Sequence, residues 1–209
     1  MNIEMLATMD PILQILAVAG VVLLLVGIYV ALMYNKWVKL RNRWQNAYGQ
    51  IDVQLKRRHE LIPNLVEVVK GYMAHERDTL EGVITARSQA VAAGDQARTK
   101  PGEPALMESL KEAEGSLVFA LGRLFAVAEA YPDLKANQNM LSLQEELRST
   151  ENRLAFARQA YNDAVMVYNI RIQSFPDAMM ASAFGYKPAA LYQIEAAEER
   201  ATPKVAFGK

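Results

Sequence analysis

The chain has 209 residues, enough for one membrane span and one domain. Lys and Arg number 23 against 23 Asp and Glu, so the whole-chain charge lacks the basic surplus of a nucleic-acid-binding domain. Cysteine is absent, which excludes disulfides, thiol catalysis and cysteine-ligated metals, and two histidines leave little for a histidine-rich metal site.

Residues 1–10 hold Glu4 and Asp10 and no Lys or Arg. Asp10-Pro11 is a helix-start signal, a capping carboxylate followed by proline in the first turn. Residues 12–33 then carry no charge, and Gln14 is their one strongly polar side chain. At about 1.5 Å per residue this run is about 33 Å of helix, enough to cross a hydrocarbon core of roughly 30 Å. A cleaved signal peptide would have a basic leader, a shorter apolar core and small residues after it; here Ala17-Val18-Ala19 lies inside the run. The stretch reads as an uncleaved anchor, residues 12–33, behind a short extracytoplasmic N-terminus, residues 1–11.

Tyr34, Lys36, Trp37, Lys39, Arg41 and Arg43 follow as membrane-interface residues. The aromatics, with Tyr29, suit an interfacial belt, and the cations suit the cytoplasmic side. That asymmetry predicts a single-pass inner (plasma) membrane protein with its N-terminus outside and its C-terminal domain in the cytoplasm. The same cations can reach anionic headgroups, though setting topology is their first use.

The helical pattern does not stop at the membrane. Trp37, Leu40, Trp44, Ala47, Ile51, Leu55, Ile62, Leu65 and Val69 keep a three-four spacing, so one helix is expected to rise from the bilayer into the domain. Pro63 removes a backbone hydrogen bond, and a kink or tight break is expected near Ile62. The stripe resumes through Leu80, Val83, Ile84 and Val91 and is expected to end at Gly94-Asp95, before a polar, exposed loop over 93–104. A helix over 105–130 carries Leu106, Leu110, Leu117, Leu121, Leu124 and Ala128; Tyr131-Pro132-Asp133 is a turn. A long helix over 133–172 carries Leu147, Leu154, Tyr161, Val165, Tyr168 and Ile172 in a heptad-like, coiled-coil pattern. Phe175-Pro176 stops it. Residues 176–183 are expected to form a helical turn or two, 189–200 a weaker helix, and 201–209 an extended tail with Val205 and Phe207 as contacts.

No β-type alternation is present. The expected fold class is all-α: an N-terminal single transmembrane helix followed by an antiparallel up-and-down helical bundle of four main helices. The bundle is expected over 34–175, with short helices and a tail over 176–209.

Charged residues at stripe positions mark a structural polar network. Arg58 lies seven residues from both Ile51 and Leu65, and Glu151 and Arg158 fall between Leu147, Leu154 and Tyr161. If helices 37–69 and 147–172 face each other, Arg58 pairs with Glu151 and Arg158 with Asp52. Such a network sets helix register better than it performs acid-base chemistry, which needs a cleft. The Glu-x-x-His element of di-iron bundles is missing, because Lys56 and Tyr72 stand three residues before His59 and His75. Phosphate-loop, dinucleotide, nucleophile-elbow and zincin motifs are also missing, so no catalytic, cofactor-binding or metal residue is assigned and no cofactor is expected. Tyr161-Asn162 and Tyr168-Asn169, seven apart on one face, suit hydrogen bonding across a bundle seam.

These residues resemble the LemA family. The match includes the run from Gln50 to Arg58, Leu61-Ile62-Pro63-Asn64, Val69-Lys70-Gly71-Tyr72, Tyr131-Pro132-Asp133-Leu134-Lys135-Ala136-Asn137, Glu151-Asn152, Ala157-Arg158, both Tyr-Asn pairs and Phe175-Pro176. It covers nearly the whole chain. His59 departs from it, at a position where an aromatic is common, and the 101–104 loop is longer than usual. The resemblance implies a bacterial membrane protein with one anchor and a cytoplasmic helical bundle; it supplies no reaction and no catalytic residues. The expected function is therefore a non-enzymatic, membrane-anchored scaffold or membrane-organising protein. Its partners would be the lipid bilayer, further copies of itself and another membrane or signalling protein. Gly20 and Gly27, seven apart on the anchor, would let copies approach closely as a homo-oligomer. The alternative is a regulatory or sensory module that binds a membrane kinase or protease.

Overall fold

The structure, a computed structural model, describes residues 11–73 and 75–193. The Asp10 cap and the tail over 194–209, with Val205 and Phe207, lie outside the described residues. Among those described there is no strand, and the fold is all-α. The described residues form six helices: α1 Pro11–Lys70, α2 Arg77–Thr99, α3 Pro104–Ala128, α4 Pro132–Lys135, α5 Gln138–Gln173 and α6 Asp177–Ala181.

α1 is one helix of 60 residues. Its apolar first part, residues 12–32, packs against almost nothing, while from Met33 onward its stripe is buried: Trp37, Trp44, Tyr48, Ile51, Leu55, Ile62, Leu65 and Val69. α1 is long and apolar enough near its start to cross a membrane. α5 runs antiparallel against the buried part. Tyr168 meets Trp44 (ring centroids 6.0 Å apart) and Tyr161 meets Tyr48 (5.9 Å), while Arg58 meets Glu151 farther along. α2 turns back along α1 and pairs closely with α3 through an alanine stripe, Ala86, Ala90, Ala93 and Ala97. An aromatic core near Trp37 and Trp44 and an aliphatic core near Leu65 and Leu124 fill the two ends. Asn137 caps α5, its side-chain oxygen accepting from the amides of Asn139 (2.9 Å) and Met140 (3.1 Å).

Three local expectations are corrected. Pro63 does not break α1, which runs on to Lys70. Proline leaves the carbonyl of His59 without its i+4 donor. Arg87 of α2 supplies one, its Nε donating to His59 O at 2.7 Å. Gly94-Asp95 does not end α2, which continues to Thr99 because Ala93, Gly94 and Ala97 are buried. The loop that remains is short and only partly exposed. Gly102 is buried at φ +80°, and a Cβ there would lie 3.0 Å from Ala189 Cβ and 3.1 Å from Trp44 Cη2. Both the backbone angle and the space require glycine.

The third correction concerns the C-terminal segment. Residues 189–193 are not helical. Pro188 biases Lys187 toward extended backbone, and side chains of α5 occupy the backbone hydrogen-bonding groups a helix would use.

Candidate functional site

Three groups of side chains are candidates. The first is the interior ionic cluster. Arg58 Nη1 lies 3.2 Å from Glu151 Oε2 and 3.4 Å from Glu114 Oε2. His59 Nε2 donates to Glu114 Oε1 at 2.7 Å. Arg58, His59 and Glu114 are buried, whereas the Glu151 side chain is 44% exposed. Arg158 does not pair with Asp52. It lies 3.8 Å from Glu151 Oε1, and Asp52 instead accepts from Arg98 Nε of α2 at 3.0 Å. Asp52 sits on the side of α1 that faces α2, while Arg158 belongs to α5. Glu114, which sequence reasoning missed, had the same signal as Arg58: it stands between Leu110 and Leu117 on the buried stripe of α3.

A cleft of about 520 Å³ opens beside this cluster between α3 and α5. Val118, Leu121, Phe125 and Leu147 make its walls apolar, with Arg58 and Glu151 at one end. Such a lining can hold an apolar side chain or acyl group. Arg58 and Glu151 are engaged with each other there, and Arg148, which also lines the cleft, lies 3.6 Å from Glu145. Among the described residues no group of three or more His, Asp or Glu converges as metal ligands would.

The second group is the Tyr-Asn ladder on α5. These side chains do not bridge to another helix; they grip the backbone of residues 187–192. Asn169 donates to Ala189 O and accepts from Ala189 N, both at 2.9 Å. Asn162 does the same to Tyr192, at 3.1 and 2.8 Å. Tyr168 Oη donates to Lys187 O at 2.9 Å and Tyr161 Oη to Ala190 O at 2.7 Å. The amide of Ala190 donates to Gly102 O at 2.8 Å, so the α2–α3 loop closes the other side. Burial pushes the hydroxyls of Tyr161, Tyr168 and Tyr192 up, and burial followed by the Asp52 carboxylate pushes Tyr48 up to about 12. The ladder therefore stays neutral and donating across the physiological range.

The third group lies where α1 leaves its apolar stretch. Lys36, Lys39, Arg41 and Arg43 are exposed. The Arg41 guanidinium lies 6.0 Å from the Tyr186 ring centroid, within cation–π range. Trp37 is not an interfacial belt residue. It is fully buried, and its indole Nε1 donates to Asp177 Oδ2 at 2.7 Å. Tyr34 is partly exposed and tilts against Phe184, with centroids 5.7 Å apart. Asp177, also missed in the sequence, carries the only charge between Arg171 and Lys187 and forms an ion pair with Arg171.

Comparison with known proteins places these features in a family. The LemA family model matches residues 47–207. Magnetosome protein MamQ 2 of Paramagnetospirillum magneticum is 29% identical over 175 residues, covering 77% of this chain and 64% of that relative's length. Magnetosome protein MamQ of Magnetospirillum gryphiswaldense is 27% identical over 190 residues, covering 83% of this chain and 70% of the relative. Protein LemA of Metamycoplasma hominis is 26% identical over 164 residues, covering 78% and 70%.

Proposed function

This chain belongs to the LemA family, and from that membership and its continuous first helix we propose that it is a membrane-anchored, non-enzymatic scaffold that self-associates. The observation that carries the reading is the unbroken run of α1 from an unburied apolar stretch into the bundle core. An anchor continuous with a core helix is a stalk that holds the bundle at a set height and angle. A diffusing enzyme gains little from that arrangement, whereas a protein that spaces or organises membrane components depends on it.

The topology of the reading follows from charge. Lys36, Lys39, Arg41 and Arg43 sit at one end of the span, and this asymmetry favours a cytoplasmic bundle with the N-terminus outside. Self-association is supported by Gly20 and Gly27, seven apart on the span, where small residues let two helices approach closely. It is supported also by Phe119 and Phe156, large aromatics exposed on α3 and α5. The chain lacks cysteine, so single cysteines can be placed along the span in intact membranes. Disulfide cross-linking should peak for Gly20→Cys and Gly27→Cys and fall between them. Monomers alone at native abundance would overturn self-association.

The apolar cleft between α3 and α5 favours a second reading, a regulatory or sensory module that docks a membrane kinase or protease. A pull-down separates the two. Recovery of a stoichiometric foreign partner supports regulation, and recovery of this chain alone supports scaffolding.

A further inference from the structure

The end of the bundle nearest the apolar stretch of α1 has an unusual surface. Between Arg171 and Lys187 the one charged residue is Asp177, and it is buried against Trp37 and Arg171. Beside the uncharged Gln173, Ser174 and Ser182, this segment exposes large apolar side chains: Phe175 is 83% exposed, Met179 74% and Phe184 48%. A water-facing helix end would carry charge here, and large exposed apolar side chains that lie together mark an interaction surface.

The height of this surface is set by the packing around the stalk. Ala181 packs in one core cluster with Met33 and Trp37, and Phe184 lies against Tyr34. Trp37, the partner of Asp177, is one turn beyond Met33, about 6 Å along the helix. The polar interfacial layer on each side of a bilayer is roughly 5–7 Å deep. α6 therefore sits beside the stalk at headgroup level when residues 12–33 span the hydrocarbon. Lys187 is exposed at the end of this segment, Arg41 lies 6.0 Å from its Tyr186 ring, and Lys36, Lys39 and Arg43 are exposed on the same turns of the stalk.

We infer that Phe175, Met179 and Phe184 form a second membrane contact, a collar that seats the bundle in the interface of an anionic leaflet. This rests on the reading of residues 12–33 as a span. Aromatic and methionine side chains settle at the acyl–headgroup boundary, and the surrounding cations take the anionic phosphates. The collar gives the stalk two supports instead of one and resists its tilting.

The test uses single cysteines carrying an environment-sensitive dye on the full chain, in phosphatidylcholine–phosphatidylglycerol vesicles with brominated acyl chains. Phe175→Cys and Met179→Cys report on the collar. Phe156→Cys, about 24 Å back along α5 from Ile172, reports on the free bundle surface. Leu24→Cys reports on the span. The inference expects shallow bromines to quench the dye at 175 and 179 several-fold more than at 156, and deep bromines to quench the dye at 24. Quenching at 24 with the collar no different from 156 overturns the collar and leaves the anchor standing. A blue-shifted dye at 175 that bromine does not quench puts a second copy over this face and also overturns it. No quenching at 24 overturns the span and the collar together.

Discussion

Pro63 lies inside a helix that continues through it, and the structure identifies what makes that possible. The His59 carbonyl, deprived of an amide donor at Pro63, accepts from Arg87 Nε at 2.7 Å instead. Arg87→Ala removes that donor from the carbonyl of His59, a buried residue. A stranded polar group of this kind costs about 1–3 kcal/mol. At roughly 2–4 °C per kcal/mol for a domain of this size, the melting temperature should fall by roughly 2–12 °C. Pro63→Ala returns an amide that can donate to the same carbonyl. In that background Arg87→Ala should cost at least about 1 kcal/mol less, beyond the roughly 0.5 kcal/mol within which independent sites add. Urea and thermal unfolding of the four full-length proteins in detergent, followed by helical circular dichroism, gives the cycle. Equal costs of Arg87→Ala in the parent chain and in the Pro63→Ala background would refute the account of how α1 stays continuous.

Glu114→Ala should destabilise by about 3 kcal/mol, because it removes the buried carboxylate that His59 and Arg58 share and leaves Arg58 only the part-exposed Glu151, whereas Glu151→Ala, which leaves the buried Glu114 in place, should cost no more than about 1 kcal/mol. The reverse order of unfolding midpoints would discredit the burial argument. Asn162→Ala and Asn169→Ala should speed hydrogen exchange at the amides of Tyr192 and Ala189 and leave the α1–α5 pair protected. Uniform loss of protection would mean that the ladder holds the whole bundle and not the segment alone. The raised tyrosines set an alkaline limit. Their folded values lie above the unfolded value of about 10, so their stabilisation is complete below about pH 10. It is lost as the pH climbs through the folded values, about 12 for Tyr48. Tyrosinate absorbance should therefore appear at higher pH in the folded chain than in urea, and coincident titrations would count against a buried ladder.

Helix periodicity is a local property, so the four main helices are readable from stripe positions such as Trp44, Ile51, Leu117 and Tyr161. The same logic locates Arg58 in the core, and applied to α3 it would locate Glu114. Which charge meets which depends on the rotation of each helix against its neighbours, and this separates Asp52 from Arg158. Arg87 carries no pattern at all; its partner is a backbone carbonyl freed by a proline on another helix. The interfacial look of Trp37 misleads because a buried indole and a membrane-surface indole have the same sequence context, and only the position of Asp177 distinguishes them. The alanine- and glutamate-rich stretch after Pro188 has helical propensity, yet its first residues are held extended by Asn162 and Asn169, a tertiary effect that no local signal carries.

The central claim is that anchor and bundle share one rigid helix. Spin labels on Leu32→Cys and Val53→Cys, both exposed positions on α1, measure this in lipid bilayers by the distance between them. The account predicts a single narrow distribution centred at roughly 30 Å, the rise of a continuous helix between the two sites. A broad distribution, or a second population at short distance, would reveal a joint between span and bundle and contradict the stalk.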